Sequence, residues 1–344
     1  MTTILNIPLN TDTSKQKNAH ILNITSNIVG ILLLTAIILL IINPTRYIQS
    51  ILTGTNLFYN CVMPSLLPFF FISKIVFGLG SLDGFINLCR KPICKIFRVP
   101  SITSYVLIMS ILCGYPVGAK IIGELAKTNV ITKKDAKKMI TIGSTSGPIV
   151  VIGSVGGALF HSVKLGVLIF VCHILGCLLA GFILTRKFEK IDVASDKYKT
   201  KSIDNLLSQS VNSTIISILT VAIYVSIFYM FIDMAYDVKI LGFVSSFLEK
   251  VFTTINIDPC FAKGISSGLI EMTRGLAEIT STTSDLLKLI VSTCLISFGG
   301  FSIFVQSLTF LNETNIKALY LLKIKCLQTI ISGIIAYIVG IIFF

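Results

Sequence analysis

The sequence predicts an all-α polytopic membrane protein, arranged as an inverted repeat of helices with re-entrant hairpins and broken helices. Three observations predict it. First, the 344 residues are 53% hydrophobic and only 13% charged, with mean hydropathy +0.87, where a soluble domain carries about 25% charged residues. Second, a short apolar stretch, 101–119, has basic clusters on both sides: Arg90, Lys91, Lys95 and Arg98 before it, and Lys120, Lys127, Lys133, Lys134, Lys137 and Lys138 after it. Cytoplasmic segments collect Lys and Arg, so both flanks belong on one side and the stretch between them dips in and returns. Third, the second half of the chain repeats the order of parts found in the first.

The N-terminus is polar up to the first apolar run, Asn27–Ile42, which reads as a retained span rather than a cleaved signal. Val62–Gly80 follows, opening with Met63-Pro64-Ser65-Leu66-Leu67-Pro68. Residues 85–98 mix apolar and basic side chains, as a helix lying on the membrane surface does. The hairpin of 101–119 turns at Gly114-Tyr115-Pro116-Val117-Gly118, where little bulk stands in the way of a reversal; a kinked helix in a packed bundle is the alternative. A span near 139–160 is interrupted at Ser144-Thr145-Ser146-Gly147-Pro148. Val163–Leu184 is uninterrupted and ends at the basic loop Arg186 to Lys201.

The second half reads Val211–Ile232 as a span, 239–252 as amphipathic, and 260–280 as too polar to face lipid. Leu287–Phe310 is a span interrupted at Ser297-Phe298-Gly299-Gly300-Phe301-Ser302, and Cys326–Phe344 is the last. Gly114 precedes Ser144 by nearly the interval at which Gly268 precedes Ser297. The organisation is therefore a tail and first helix (1–60), one repeat (61–185), a basic cytoplasmic loop (186–205) and a second, inverted repeat (206–344). With a cytoplasmic N-terminus carrying Lys15 and Lys17, the segments 90–98, 120–138, 186–201 and 317–325 fall inside and hold most of the 29 Lys and Arg. That topology accounts for the net charge of +13 without nucleic acid as a partner.

The nine cysteines are scattered, with no CxxC pair, and read as small buried thiols. His20, His161 and His173 have no companions at metal-ligand spacing and read as packing residues. No P-loop, HExxH or GxSxG is present, so no enzyme and no cofactor is expected.

The candidate binding residues lie at the interruptions. Cys113, Gly114, Tyr115 and Pro116 form the first hairpin tip, Ser144, Thr145 and Ser146 the first break, and Ser297 and Ser302 the second. A broken helix frees N–H and C=O groups to meet a polar ligand or ion; the same serines can instead cap or pack between helices. Glu271, Thr273 and Arg274 lie in an otherwise apolar region, where an ionisable group is costly and marks function by default. Glu271 and Arg274, three apart, can alternatively form a local ion pair. Gln306 reads as a hydrogen bond between helices.

At these residues the chain resembles a known family. The runs Met63-Pro64-Ser65-Leu66-Leu67-Pro68-Phe69, Gly114-Tyr115-Pro116-Val117-Gly118-Ala119-Lys120, Thr132-Lys133-Lys134-Asp135-Ala136 and Ser146-Gly147-Pro148 resemble the YlbJ-type sporulation integral membrane proteins of the nucleoside-recognition Gate group. The resemblance covers about Val62 to Gly181, and Gly268 to Ser307 more loosely. It implies an inner-membrane protein of an endospore former, needed for spore envelope maturation. The Gate group is in turn similar to concentrative nucleoside transporters, which share the order surface helix, hairpin, broken helix, span, then an inverted copy. That similarity implies one half-site at Cys113–Pro116 with the following break, and another at Glu271 with Ser297–Ser302. Nucleoside transporters place amide, hydroxyl and carboxylate side chains at the first tip, where this chain has Cys113, Gly114, Tyr115 and Pro116.

The expected function is alternating-access movement of a small polar solute or ion, nucleoside-like in the family's sense, with Na+ or H+ as a coupling cation. The alternative is a non-transporting scaffold or signalling partner in spore envelope assembly. The partners implied are the lipid bilayer and the solute, with a homo-oligomer left open.

Overall fold

The computed structural model describes residues 27, 29–79, 83–188 and 203–344. The expected N-terminal tail, with Lys15 and Lys17, and most of the basic loop 186–201 lie outside the described residues. The chain forms two compact units, Met1–Gln49 and Ser50–Phe344. In the first unit, α1 is the apolar helix Val29–Ile42. The second holds everything that bears on a site.

Every regular element among the described residues is helical. Four helical stretches are long and apolar enough to cross a membrane, or five if a bent pair that includes α1 is counted as one span. They are α8 (Val163–Thr185), α9 (Ile203–Asp237, with Leu206–Asp237 as the span), the broken pair α13 (Asp285–Phe298) and α14 (Gly300–Phe310), and α15 (Ala318–Phe343). Between α1 and α8 lie α2 (Pro44–Leu57), a π-helical segment (Phe58–Val62), α3 (Met63–Gly78), α4 (Asp83–Phe97), α5 (Thr103–Cys113), α6 (Val117–Lys127), α7 (Lys133–Met139) and a second π-helix (Ile149–Leu159). Between α9 and α13 lie α10 (Ile240–Thr254), α11 (Cys260–Ile270) and α12 (Met272–Glu278).

The distribution of polarity is that of a protein in lipid. Val163, Val167, Val171, Leu175, Leu179 and Ile183 form an exposed apolar stripe along α8, each four residues after the last. The opposite face buries small and polar residues, Gly166, Cys172, His173, Gly176 and Cys177. Close approach through small residues is how helices pack without a hydrophobic drive between them. On that face α8 packs with α13 and α15. Ser292, Thr293, Ser297, Lys325, Gln328 and Ser332 are all buried between them.

The 11 residues of α5, α6 or α11 extend about 16 Å each at 1.5 Å per residue, half the roughly 30 Å of a hydrocarbon core. The pair α5–α6 is joined at Gly114–Pro116, and α11–α12 at Glu271. The arms of the second pair touch through glycine: a Cβ on Gly275 would fall 2.3 Å from the Gly268 Cα and 2.4 Å from the Gly264 oxygen. The basic flanks of the first pair meet at one place. Arg98 donates to the Arg186 and Phe188 carbonyls at 2.7 and 3.1 Å, and the Lys138 ammonium lies 5.4 Å over the Phe188 ring. Lys187 sits over Tyr320, whose hydroxyl donates to the Lys137 carbonyl. Residues before α5 and after α6 thus both reach the segment that follows α8.

Four expectations need correction. The second arm of the first hairpin runs on to Lys127, so Lys120 is a helix residue, not a flank. Gly268, whose spacing to Ser297 paralleled that of the tip glycine Gly114 to Ser144, is not a tip residue: it sits inside α11 against Gly275, and the second hairpin breaks at Glu271. The expected span Val62–Gly80 holds only the 16-residue α3, too short to cross alone. The basic segment 317–325 is not a loop: α15 begins at Ala318, Lys323 is exposed on it and Lys325 is completely buried.

Candidate functional site

The site is built where two helix breaks receive two hairpin tips. After α7 the chain makes a turn over Ile140–Gly143 and runs without helical bonding from Ser144 to Gly147 before restarting at Pro148. Buried backbone groups must find partners, and here side chains from other helices supply them. The Ser146 N–H donates to His173 Nε2 at 2.8 Å, and the Thr145 N–H donates to Ser110 Oγ at 3.2 Å. The Ser144 carbonyl accepts from Lys325 Nζ at 3.4 Å and the Thr141 carbonyl from Gln328 Nε2 at 3.3 Å.

The first tip lies directly on this break. Gly114 has φ +79°, and a Cβ there would fall 2.4 Å from the Gly147 nitrogen. Only glycine meets both conditions. Tyr115, joined to Pro116 by a cis bond, reaches across to the second break. Its hydroxyl donates to the Ile296 and Ser297 carbonyls at 3.3 and 3.4 Å. The second break is formed by Gly299 and Gly300, with φ +83° and +72°. Gly300 lies against the second tip: a Cβ on it would be 3.0 Å from the Gly268 and Ile270 oxygens.

His173 ties the two breaks together. Because the Ser146 N–H can only donate, Nε2 carries the lone pair, so Nδ1 carries the proton and donates to Ser297 Oγ at 2.8 Å. The imidazole is neutral in this arrangement.

Glu271 occupies the second tip in extended conformation and is 1% exposed. Its carboxylate caps α12, accepting from the Arg274 N–H at 3.0 Å and from the Thr273 hydroxyl. The local pair with the Arg274 guanidinium is not made. That group turns to Asp233, to Glu278 at 3.2 Å and to the face of Tyr229.

A cavity of about 40 Å³ lies between the tips, enough for roughly three water molecules at 10–15 Å³ of such space each. Cys113, Gly114 and Tyr115 line it from the first tip, Glu271, Met272 and Thr273 from the second, and Ser146 and Gly147 from the first break. Val62, Leu66, Val221, Val225, Ile303 and Gln306 complete the wall. A second, polar cavity of about 560 Å³ shares α3, α9 and α14 with the first and adds α6, through Lys74 of α3, Lys120 and Glu124 of α6, Ser213 and Ser217 of α9, and Phe310 of α14. Lys120 lies 5.0 Å over Phe70 and donates to the Ser213 carbonyl and hydroxyl and to the Ser217 hydroxyl. Lys74 pairs with Glu124 at 2.6 Å beside it.

Over 309 residues the chain is 27% identical to the sporulation integral membrane protein YlbJ of Bacillus subtilis (strain 168), covering 83% of this chain and 75% of YlbJ. That match supports a YlbJ-type assignment. No family model and no solved structure matches the chain.

Of the expected residues, Cys113, Gly114, Tyr115, Ser146, Glu271 and Thr273 come together around the inner cavity. The other expected residues stand behind it. Pro116 starts α6; Thr145 bonds Ser110; Ser144 presents its carbonyl to Lys325; Ser297 bonds His173; Ser302 accepts from Gln306 at 3.1 Å. Arg274 faces Asp233. Gln306 bonds within its own helix and lines the cavity rather than bridging helices. Sequence reading missed the roles of His173 and Lys325. Lys325, Gln328 and Ser332, at i, i+3 and i+7 in an apolar helix, were a legible signal: one polar face turned inward.

Proposed function

We propose that this chain is a transporter-like protein of sporulation that moves a small polar solute or ion across the bacterial cell membrane by alternating access. In this reading 61–185 and 206–344 are inverted repeats of hairpin, broken helix and span, the hairpins are re-entrant, and the N-terminus is cytoplasmic with the basic end. The observation that carries it is the cavity holding the Glu271 carboxylate between two hairpin tips and a helix break. Sites of this form lie at the midplane between interrupted helices. The polar cavity at Lys120 is then the cytoplasmic approach, closed by Lys120 across α6 and α9. Support for a role in sporulation is the similarity to the sporulation integral membrane protein YlbJ; a part in spore envelope maturation is our extension of that likeness.

Glu271→Gln keeps the shape and removes the charge. In a sporulating host it will lower the function by at least tenfold, read as solute uptake or as the fraction of spores that mature, while the protein still accumulates in the membrane. Wild-type behaviour of this variant would end the site assignment. The scaffold reading draws on one observation, the small volume between the tips. Labelling separates the two. A water-soluble thiol reagent will modify Cys113 in native membranes if the cavity opens in turn; a static scaffold leaves it unlabelled.

A further inference from the structure

Lys325 is 0% exposed, and no carboxylate among the described residues pairs with it. An ammonium withdrawn from water needs replacement contacts. Its contacts are the Ser144 carbonyl at 3.4 Å and the face of Tyr115, 3.9 Å from Nζ to the ring centre. The carbonyl belongs to the unwound stretch after α7 and the ring to the first hairpin tip, so one charge holds tip and break together. On the residue it bonds and on the next turn of its own helix, the Ser144 hydroxyl and Gln328 Oε1 are buried without a hydrogen-bond partner among the described residues. Snorkelling toward water does not describe a side chain whose tip is this deep.

Unwound carbonyls at a broken helix are where transporters seat alkali cations, and aromatic faces attract ammonium ions. We infer that Lys325 is a tethered cation, occupying at the first break the place a free alkali ion would take. The tip and break are then held together without a metal ion. Resting on the transport reading only for this last step, transport is not driven by Na+.

The test uses the full-length chain purified in detergent and reads its unfolding temperature. Exchanging sodium for potassium or choline at fixed ionic strength will leave the wild type unchanged. Lys325→Ala will unfold several degrees lower, and n-propylammonium, the part of the side chain alanine lacks, will restore more than half of that loss where choline does not. Lys325→Met, which fills the space without charge, will stay low with every ion. A specific gain of the wild type in sodium overturns the inference, as does a Met variant as stable as wild type or an Ala variant indifferent to n-propylammonium. Should the variants fail to accumulate, the wild-type ion exchange alone still decides. Because unfolding needs no transport, an inactive Glu271 site and a misassigned Lys325 give different results.

Discussion

Replacing Gly114 by valine will lift the first hairpin tip off the first break and destabilise the protein by about 3 kcal/mol. Two independent costs add. A side chain at φ +79°, ψ −168°, a region essentially reserved for glycine, is strained by about 1–3 kcal/mol. Its Cβ, 2.4 Å from the Gly147 nitrogen, must also displace backbone on a neighbouring element, and forced overpacking costs about 1–3 kcal/mol. Gly147→Ala approaches the same seam from the other side, with a Cβ 3.0 Å from the Gly114 nitrogen, and will show a smaller loss of the same sign. Gly153→Ala is the control: its Cβ has nothing nearer than 4.0 Å and will be neutral or slightly stabilising. Thermal unfolding in detergent measures all three. Equal effects at 114 and 153 would show that tip and break are not in contact.

His173→Leu will cost about as much for a different reason. It orphans the buried Ser146 N–H and the Ser297 hydroxyl, at about 1–3 kcal/mol each, so a loss of about 4 kcal/mol is expected. Glutamine offers an acceptor and a donor on a side chain of similar reach and will recover about half. The deciding measurement is a double-mutant cycle with Ser297→Ala, in which each substitution removes the same bond. A coupling of about 1 kcal/mol confirms that the two breaks are joined through His173. Additive losses would mean the ring serves only to fill space.

The helix breaks were legible because Gly, Pro and Ser clusters interrupt apolar runs at Ser144–Pro148 and Ser297–Ser302 without any tertiary information. What stayed hidden depended on distant partners. Arg274 was matched with the carboxylate three residues away, whereas Asp233 of another helix takes its guanidinium. Glu271 instead turned its oxygens back onto its own helix start. The spacing from Gly268 to Ser297 echoed that from Gly114 to Ser144, yet Gly268 serves close packing inside a hairpin arm and the chain turns at Glu271. Lys325 was counted among loop charges, since positive-inside accounting has no category for a cation dissolved in the protein interior. His173 looked like a packing residue for the same reason: its two hydrogen-bond partners lie 27 and 124 positions away.

The glycines that let the second hairpin's arms touch also make the two hairpins mechanically unlike. Gly264, Gly268 and Gly275 bring α11 and α12 together along their own seam, so that hairpin is clamped to itself. In the first hairpin the glycines of the return arm also meet other elements: Gly118 abuts the Gly143 carbonyl as well as Ser110 of its own partner arm, and Gly123 abuts the Phe310 carbonyl, so that arm is riveted to its neighbours. A force applied at Glu271 travels along that stiff pair and reaches the second break where Gly300 abuts the Gly268 and Ile270 oxygens. A force applied at Gly114 spreads at once into the first break and into α14. Both tips therefore pass load to a break, the second through a hairpin stiffened along its own seam and the first through an arm already fixed to its neighbours.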